Sequence, residues 1–337
     1  MHIIATIWKD PYYFDRNQAM IEAGVDVFRV KCSHWGADQI SKSLIKTREQ
    51  IRQSGRSVKL LADLPESKIR LGEFPQNKVQ VEANQEFRFL HGPQSSDPHA
   101  YIPFQVENIA DYLKVGEEFL IQDGQMSFAV TAIHSPNEFI ARTCHAGEII
   151  QCTGMTIPRA IDKLDHIVPF IDEVLAKLPE SKPDIVAFSF IKSRTMLEQL
   201  LSKLAQHTTP NWNPQVIAKI ESQEGVDNVD EILDLVHGIM VARGDLALTI
   251  PYEYLGLIQK RLVAKARSKG KYSIVSTGVL ASMHKQNFPG RSDILDVTNS
   301  YLDGASAIML CAETADNENP GRVVETAKRI IKAVEVY

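Results

Sequence analysis

Cysteine is scarce and dispersed: four thiols, Cys32, Cys144, Cys152 and Cys311, in 337 residues. Such a set cannot build the disulfide framework of a small secreted fold and suits the reduced thiols of a cytoplasmic protein. Cys144, His145 and Cys152 have no fourth partner at metal-ligand spacing, which argues against a zinc site. Long apolar runs are also missing, none reaching the roughly 18 residues of a membrane span. The first residues, MHIIATIWKDPYYFDR, lack the basic start and apolar core of a secretory signal. Like charges nowhere gather into a block, and the net charge of −5 weighs against a general nucleic-acid binder. Repeats and low-complexity stretches are absent as well. What is present is the composition of a soluble globular protein, 44% hydrophobic and 23% charged. The length suffices for one large α/β domain and a smaller one.

Short apolar runs alternate with amphipathic stretches, the signature of parallel βα units. Eight runs read as strands: HIIATI (2–7), VFRVKC (27–32), VKLLADL (58–64), DIVAFSFI (184–191), QVIAKIES (215–222), GIMVARGD (238–245), YSIVST (272–277) and SAIMLC (306–311). Helical spacing fills most of the gaps, as in SKSLIKTREQIRQ (41–53) and GLIQKRLVAKARSKG (256–270), and Pro320 opens a last helix. Eight strands with intervening helices predict a (β/α)8 TIM barrel of the α/β class, formed by residues 1–72 and 154–337. Residues 73–153 have another texture. KVQVEANQEFRFL, EEFLIQDGQMSFAVTAIH and NEFIARTC alternate apolar and polar positions, which predicts a small all-β lid inserted after the third barrel strand. DGQ at 123–125 reads as a tight turn within it.

The strand QVIAKIES poses a chemical question, because Lys219 and Glu221 sit two apart and leave on the same face of an otherwise apolar run. Ionised groups there need pairing, a metal or a reaction to justify them. Charges gather at the other expected strand ends too: Arg29, Lys31 and Ser33 on the second; Asp63, then Lys68 and Arg70, on the third; Arg243, Gly244 and Asp245 on the sixth; Ser276 and Thr277 on the seventh; and Glu313 after the eighth. The C-terminal strand ends of such a barrel carry its active site. Glu221 and Asp245 on neighbouring strands suit a hard divalent ion. Arg29, Arg70 and Lys219 suit a phosphate or carboxylate, and Gly244 permits close backbone approach. Cations, a metal and no nucleophile–base pair fit phosphoryl transfer or enolate chemistry better than acyl transfer. Each group also has a structural reading. Glu221 and Asp245 could serve only as salt-bridge partners of Lys219 and Arg243, Arg29 and Asp63 as an ion pair between strands, Thr277 as an ordinary strand threonine, and His34 as a surface turn.

AKIESQEGVDNVDEI, GIMVARGDLALTIP and LDGASAIMLCAETADNENP, in order and at matching separations, resemble the catalytic barrel of the pyruvate kinase family. AGVDVFRVKCSHWG, DLPESKIRLGEF, IQDG and VAFSFI extend the resemblance over nearly the whole chain. It implies a phosphotransferase acting between phosphoenolpyruvate, or a related enolpyruvate, and a nucleotide. Glu221 and Asp245 then match ligands of Mg2+ or Mn2+, and Lys219 the lysine facing the phosphoryl group in flight. Arg29 and Arg70 match the arginines that steady phosphates. The backbone around Arg243, Gly244 and Asp245, with the Thr277 hydroxyl and Ser189, matches the substrate cradle. Asp123 and His34 match contacts to ADP or ATP. The family's potassium ligands correspond here to Lys31, Ser33, Asp63 and Leu64, so two are missing. Lys31, together with Lys68, implies an enzyme that needs no K+. TIWKDP, PESK, CAET and TIPR depart from family patterns on the nucleotide side. The family's usual C-terminal domain has no counterpart after the last helix, which implies an unregulated enzyme, a monomer or a homodimer through barrel helices. Two other readings stand beside this one: a metal-dependent pyruvate-enolate aldolase or lyase on the same barrel, and a non-catalytic paralogue.

Overall fold

The alternating pattern becomes strands and covering helices in the computed structural model, which describes residues 1–7, 14–33, 35–66, 68–161, 163 and 167–336. Eight parallel strands close into a barrel: β1 (His2–Thr6), β2 (Val27–Lys31), β3 (Lys59–Asp63), β4 (Ile185–Phe188), β5 (Gln215–Ile220), β6 (Gly238–Ala242), β7 (Tyr272–Ser276) and β8 (Ala307–Leu310). Every strand pairs with its neighbours in chain order, and β8 returns to β1 with Ile308 beside Ile3. The fold is therefore the (β/α)8 barrel that the strand count implies. Helices such as Ala37–Ser54, Arg194–Ala205, Leu255–Ser268 and Arg291–Leu302 follow the strands. The last, Pro320–Val336, starts on proline and buries Val323, Val324, Ala327 and Ile331, a stripe at helical spacing. No described helix is long and apolar enough to cross a membrane.

Three strands stop short of their apolar runs, each for a local reason. Arg243 opens the short helix Arg243–Thr249, so ARGD does not extend β6. Phe190 takes φ 50°, a left-handed conformation that a strand cannot contain, and β4 ends before it. Ser222 caps the helix Gln223–Asp227, its hydroxyl accepting the Gly225 N–H at 3.2 Å, which turns the chain after β5.

Alternate residues of the strands fill the barrel. Ile4, Val27, Leu61, Ala187, Ile217, Met240, Ile274 and Ala307 belong to one buried cluster. Stepping two residues further along β1, β2, β3, β5 and β7 reaches Thr6, Arg29, Asp63, Lys219 and Ser276, all buried. The same period that packs the core with hydrocarbon thus ends in a polar layer at the C-terminal end.

Residues Ser67–His166 and Ala247–Tyr252 form a second compact unit. Its six-stranded sheet runs in the order Met155–Thr156, Glu118–Ile121, Met126–Ser135, Glu138–Thr143, Glu86–His91 and Ile102–Phe104, and Lys78–Val81 pairs separately with Gly147–Ile150. Four residues, Gln122–Gln125, turn the chain where Ile121 pairs with Met126. Seven of the thirteen phenylalanines lie in its core. Phe89 stacks on Phe139 with centroids 5.0 Å apart and meets Phe119 edge-on at 5.3 Å. This concentration gives the insert a hydrophobic core of its own.

Candidate active site

Arg29, Asp63, Lys219 and Glu221 are 6, 2, 7 and 2% exposed. Two cations and two acids cancel in charge, which is the condition for ionising four groups inside a barrel. Arg29 Nε donates to Asp63 Oδ2 at 2.8 Å, and its Nη1 donates to Thr6 Oγ1 at 3.0 Å. Lys219 Nζ lies 3.1 Å from Asp63 Oδ1 and 3.3 Å from Glu221 Oε1. The Asp63 Oδ1 contact is an ion pair; among the described residues no hydrogen-bond donor is well aligned on that oxygen. Lys219 does donate to Ser189 Oγ at 2.8 Å, while Ser189 Oγ donates to the Leu64 carbonyl at 3.0 Å. The second Glu221 oxygen accepts the Phe190 N–H at 2.7 Å. That bond, with Ile191 N–H donating to the Lys219 carbonyl at 3.1 Å, ties the left-handed turn after β4 to β5.

The electrostatics follow from this neutral packing. Burial opposes ionisation of Asp63, but Lys219 and Arg29 outweigh it and hold the carboxyl at about 2. Burial equally disfavours the Lys219 ammonium, yet Asp63 and Glu221 keep it protonated above the ordinary lysine value. Arg29 is likewise held charged against burial by Asp63. Cys32 is pushed well up by burial and by Asp63, so its thiol is no nucleophile.

A second group of residues lies at the ends of β6 and β7. Arg243 makes a bidentate pair with Asp296, Nη1 to Oδ1 at 2.6 Å and Nη2 to Oδ2 at 2.7 Å. It also donates to the Thr277 carbonyl from Nε at 2.9 Å and from Nη2 at 2.6 Å. Thr277 is exposed and sits at φ 71°. A Cβ placed on Gly244 would come 3.1 Å from Thr277 Cγ2, so the missing side chain lets the threonine lie against the start of the Arg243–Thr249 helix. Asp245 stands half-buried in the first turn of that helix.

Several sequence candidates resolve differently from their simplest reading. The Arg29–Asp63 ion pair exists, but it is one edge of a larger cluster. The Arg243 guanidinium is engaged by Asp296 and Thr277, leaving the backbone at 243–245 as its part of any cradle. Ser276 Oγ donates to the Val241 carbonyl at 3.2 Å, and Glu313 accepts the Cys311 N–H at 2.7 Å, so both serve the backbone. Ser33 Oγ donates to Glu66 Oε2 at 3.1 Å, and Lys31 pairs in register with Asp63 at the end of β2. Arg70, Lys68 and Asp123 belong to the inserted unit, where Arg70 bridges to Gly154 and Asp123 takes φ 54° in the Gln122–Gln125 turn. His34 and most of TIWKDP lie outside the described residues. Thr6 and Glu66 escaped the sequence reading, although Thr6 is two residues beyond Ile4 and therefore on the inward face. Asp296 gave no sequence signal, since it sits on a covering helix.

The strand 5 and 6 carboxylates are hard oxygen donors, and among the described residues no cluster of three or more His, Cys, Asp or Glu gathers. Carboxylate oxygens are the donor type that a magnesium-like ion takes, one or two of them with water and substrate in its other positions. A family model described as the pyruvate kinase barrel domain matches residues 1–324. The chain belongs to the pyruvate kinase family. It is 31% identical to the pyruvate kinase of Thermococcus litoralis, over 99% of this chain and 70% of that one. The pyruvate kinase of Mycobacterium tuberculosis matches with the same identity and coverage. That of Geobacillus stearothermophilus is 30% identical, over 99% of this chain and 56% of its own length.

Because Asp63 ionises more readily in the folded state than at its ordinary value of 3.8, its ion pairs stabilise the fold fully above that pH. The contribution is lost as pH falls through about 2. Asp63→Asn leaves two buried cations without their shared acid and is expected to cost about 3–5 kcal/mol at neutral pH. It should also flatten the acid limb of the stability curve. Urea unfolding of both proteins across this range checks it, and superimposable curves would refute the assignment.

Proposed function

We propose that the protein transfers a phosphoryl group between phosphoenolpyruvate, or a closely related enolpyruvate, and a nucleotide, with Mg2+ or Mn2+. The observation that carries this reading is the Lys219 ammonium, kept charged at the C-terminal end of the barrel by Asp63 and Glu221 and aimed by Ser189. In the forward direction the enol oxygen–phosphorus bond breaks and a bond forms from phosphorus to a terminal oxygen of the nucleoside diphosphate. The enolate then takes a proton at its methylene carbon. Charge spreads over the three equatorial oxygens during transfer, so a fixed ammonium and a guanidinium, Lys219 and Arg29, lower the barrier without having to reorganise. Glu221 and Asp245 would hold the divalent ion, which neutralises phosphate charge and polarises the bound oxygens. Thr277 would orient the proton source for the enolate, and the Gly244–Asp245 backbone would receive the carboxylate. Asp123, in the Gln122–Gln125 turn of the inserted unit, is that unit's proposed nucleotide contact.

Lys219→Met is expected to lower turnover by at least about 10³-fold while the fold persists, as judged by circular dichroism. Turnover near the wild-type rate would remove its role. Calorimetric titration with Mn2+, then oxalate as an enolate mimic, then ADP separates the possible functions. Binding of both oxalate and ADP supports the phosphotransferase. Oxalate alone points to a metal-dependent lyase, and neither to a non-catalytic protein.

Lys31, whose backbone pairs in register with Asp63 at the end of β2, is the proposed source of a fixed positive charge that would make a monovalent cation unnecessary. Lys68 is its proposed companion. Rates in potassium and in tetramethylammonium buffers are expected to agree; strict dependence on potassium ends the idea.

A further inference from the structure

Thr277 holds the least favourable backbone conformation of the barrel's polar end. A β-branched residue at φ 71° brings its side chain close to its own backbone, and such residues persist there only when their surroundings hold them. Beyond Ser276 the extended chain of β7 would otherwise continue, so the reversal at 277 is imposed from outside. The restraint is visible. Arg243 donates twice to the Thr277 carbonyl and once, at 3.2 Å, to that of Ser276. Arg243 itself has a side chain only 13% exposed, and its charge is matched by both oxygens of Asp296. Gln259, on the helix Leu255–Ser268, accepts a further bond from Nη1 at 3.2 Å.

We propose that Asp296, on a covering helix outside the barrel, is a positioning residue for Thr277 that acts through Arg243. The planar guanidinium needs a carboxylate on one side to present two donors to a single carbonyl on the other. Without Asp296 the half-buried cation loses its counter-charge and turns toward other acceptors, and the Thr277 carbonyl is released. Thr277 then relaxes toward extended backbone. Its hydroxyl leaves the place beside Gly244, where the absent Cβ admits it. The distance between that hydroxyl and the Gly244–Asp245 backbone is therefore set by a residue 53 positions from Arg243 in the chain and outside the site. The chemical consequence rests on the phosphotransferase reading, in which the Thr277 hydroxyl serves the enolate.

Asp296→Asn, Asp296→Glu and Arg243→Lys, made in the full chain, test this in two independent ways. The first is structural: crystal structures and amide hydrogen exchange over residues 272–280. Asp296→Asn and Arg243→Lys are expected to bring Thr277 out of the left-handed region and to raise exchange there. Asp296→Glu should largely restore both. The second is chemical: phosphoryl transfer from phosphoenolpyruvate to ADP with Mn2+, and deuterium uptake into the methyl group of pyruvate. In Asp296→Asn, kcat and deuterium uptake should fall about 100-fold, the scale of a misplacement of about 1 Å, with KM for phosphoenolpyruvate little changed. A left-handed Thr277 with wild-type exchange in both disrupted variants overturns the proposal, whatever the activity. So does unchanged kcat in an Asp296→Asn protein whose Thr277 has relaxed. If the wild-type protein shows neither reaction, the phosphotransferase reading fails and the structural arm alone decides the clamp. Should Asp296→Asn fail to fold, Arg243→Lys carries both measurements.

Discussion

Ion pairing in a space with little water governs the C-terminal end of this barrel. Arg29, Asp63 and Lys219 stand where the next layer of aliphatic side chains would be, Glu221 lies one step beyond, and each would be costly to ionise alone. Together they sum to zero charge, and hydroxyls and backbone groups take up most of their remaining hydrogen-bonding capacity: Thr6 on Arg29, Ser189 on Lys219, and the Phe190 N–H on Glu221. Asp63 is the hinge of the set because it alone faces both cations. A cluster so constrained has little freedom to rearrange, which is what a site needs if it is to meet developing negative charge without reorganising.

The same economy explains the irregular backbone around it. Phe190 and Thr277 both occupy left-handed conformations just past the ends of barrel strands, β4 and β7. Each is held by a charged side chain from an adjacent strand end: Glu221, just after β5, binds the Phe190 N–H, and Arg243, just after β6, binds the Thr277 carbonyl. Charge in this barrel therefore has two uses. Some ionised groups face the interior where chemistry is proposed, and others spend their charge fixing backbone that the strands alone would leave extended. Arg243, whose backbone is expected in the substrate cradle, uses its side chain as a brace.

The inserted unit obeys other physics. Its stability comes from aromatic packing, with Phe89 at the centre of stacked and edge-on contacts, and its strands alternate inward apolar and outward polar residues. A unit with its own core can be accepted between two barrel strands at the entropic cost of closing one more loop.

Much of the architecture was legible because its causes are local. Alternation along a strand and spacing along a helix are properties of a few consecutive residues, so eight strands and their order of inward positions could be read directly. The family motifs added which of the charged positions belong together. Partner choice was legible only in part. Arg29 and Asp63 could be read as an ion pair between strands, but Lys219 meets Ser189 across 30 positions and Arg243 meets Asp296 across 53. Those contacts depend on how the closed barrel staggers its strands and seats its helices. The left-handed turns at Phe190 and Thr277 were equally hidden, since neither residue type favours that conformation. By itself the sequence determined which side chains point into the barrel, because a two-residue period is short-range. Only the tertiary structure decided which charges neutralise one another and which hold the chain in place, because that balance is struck between segments distant in sequence.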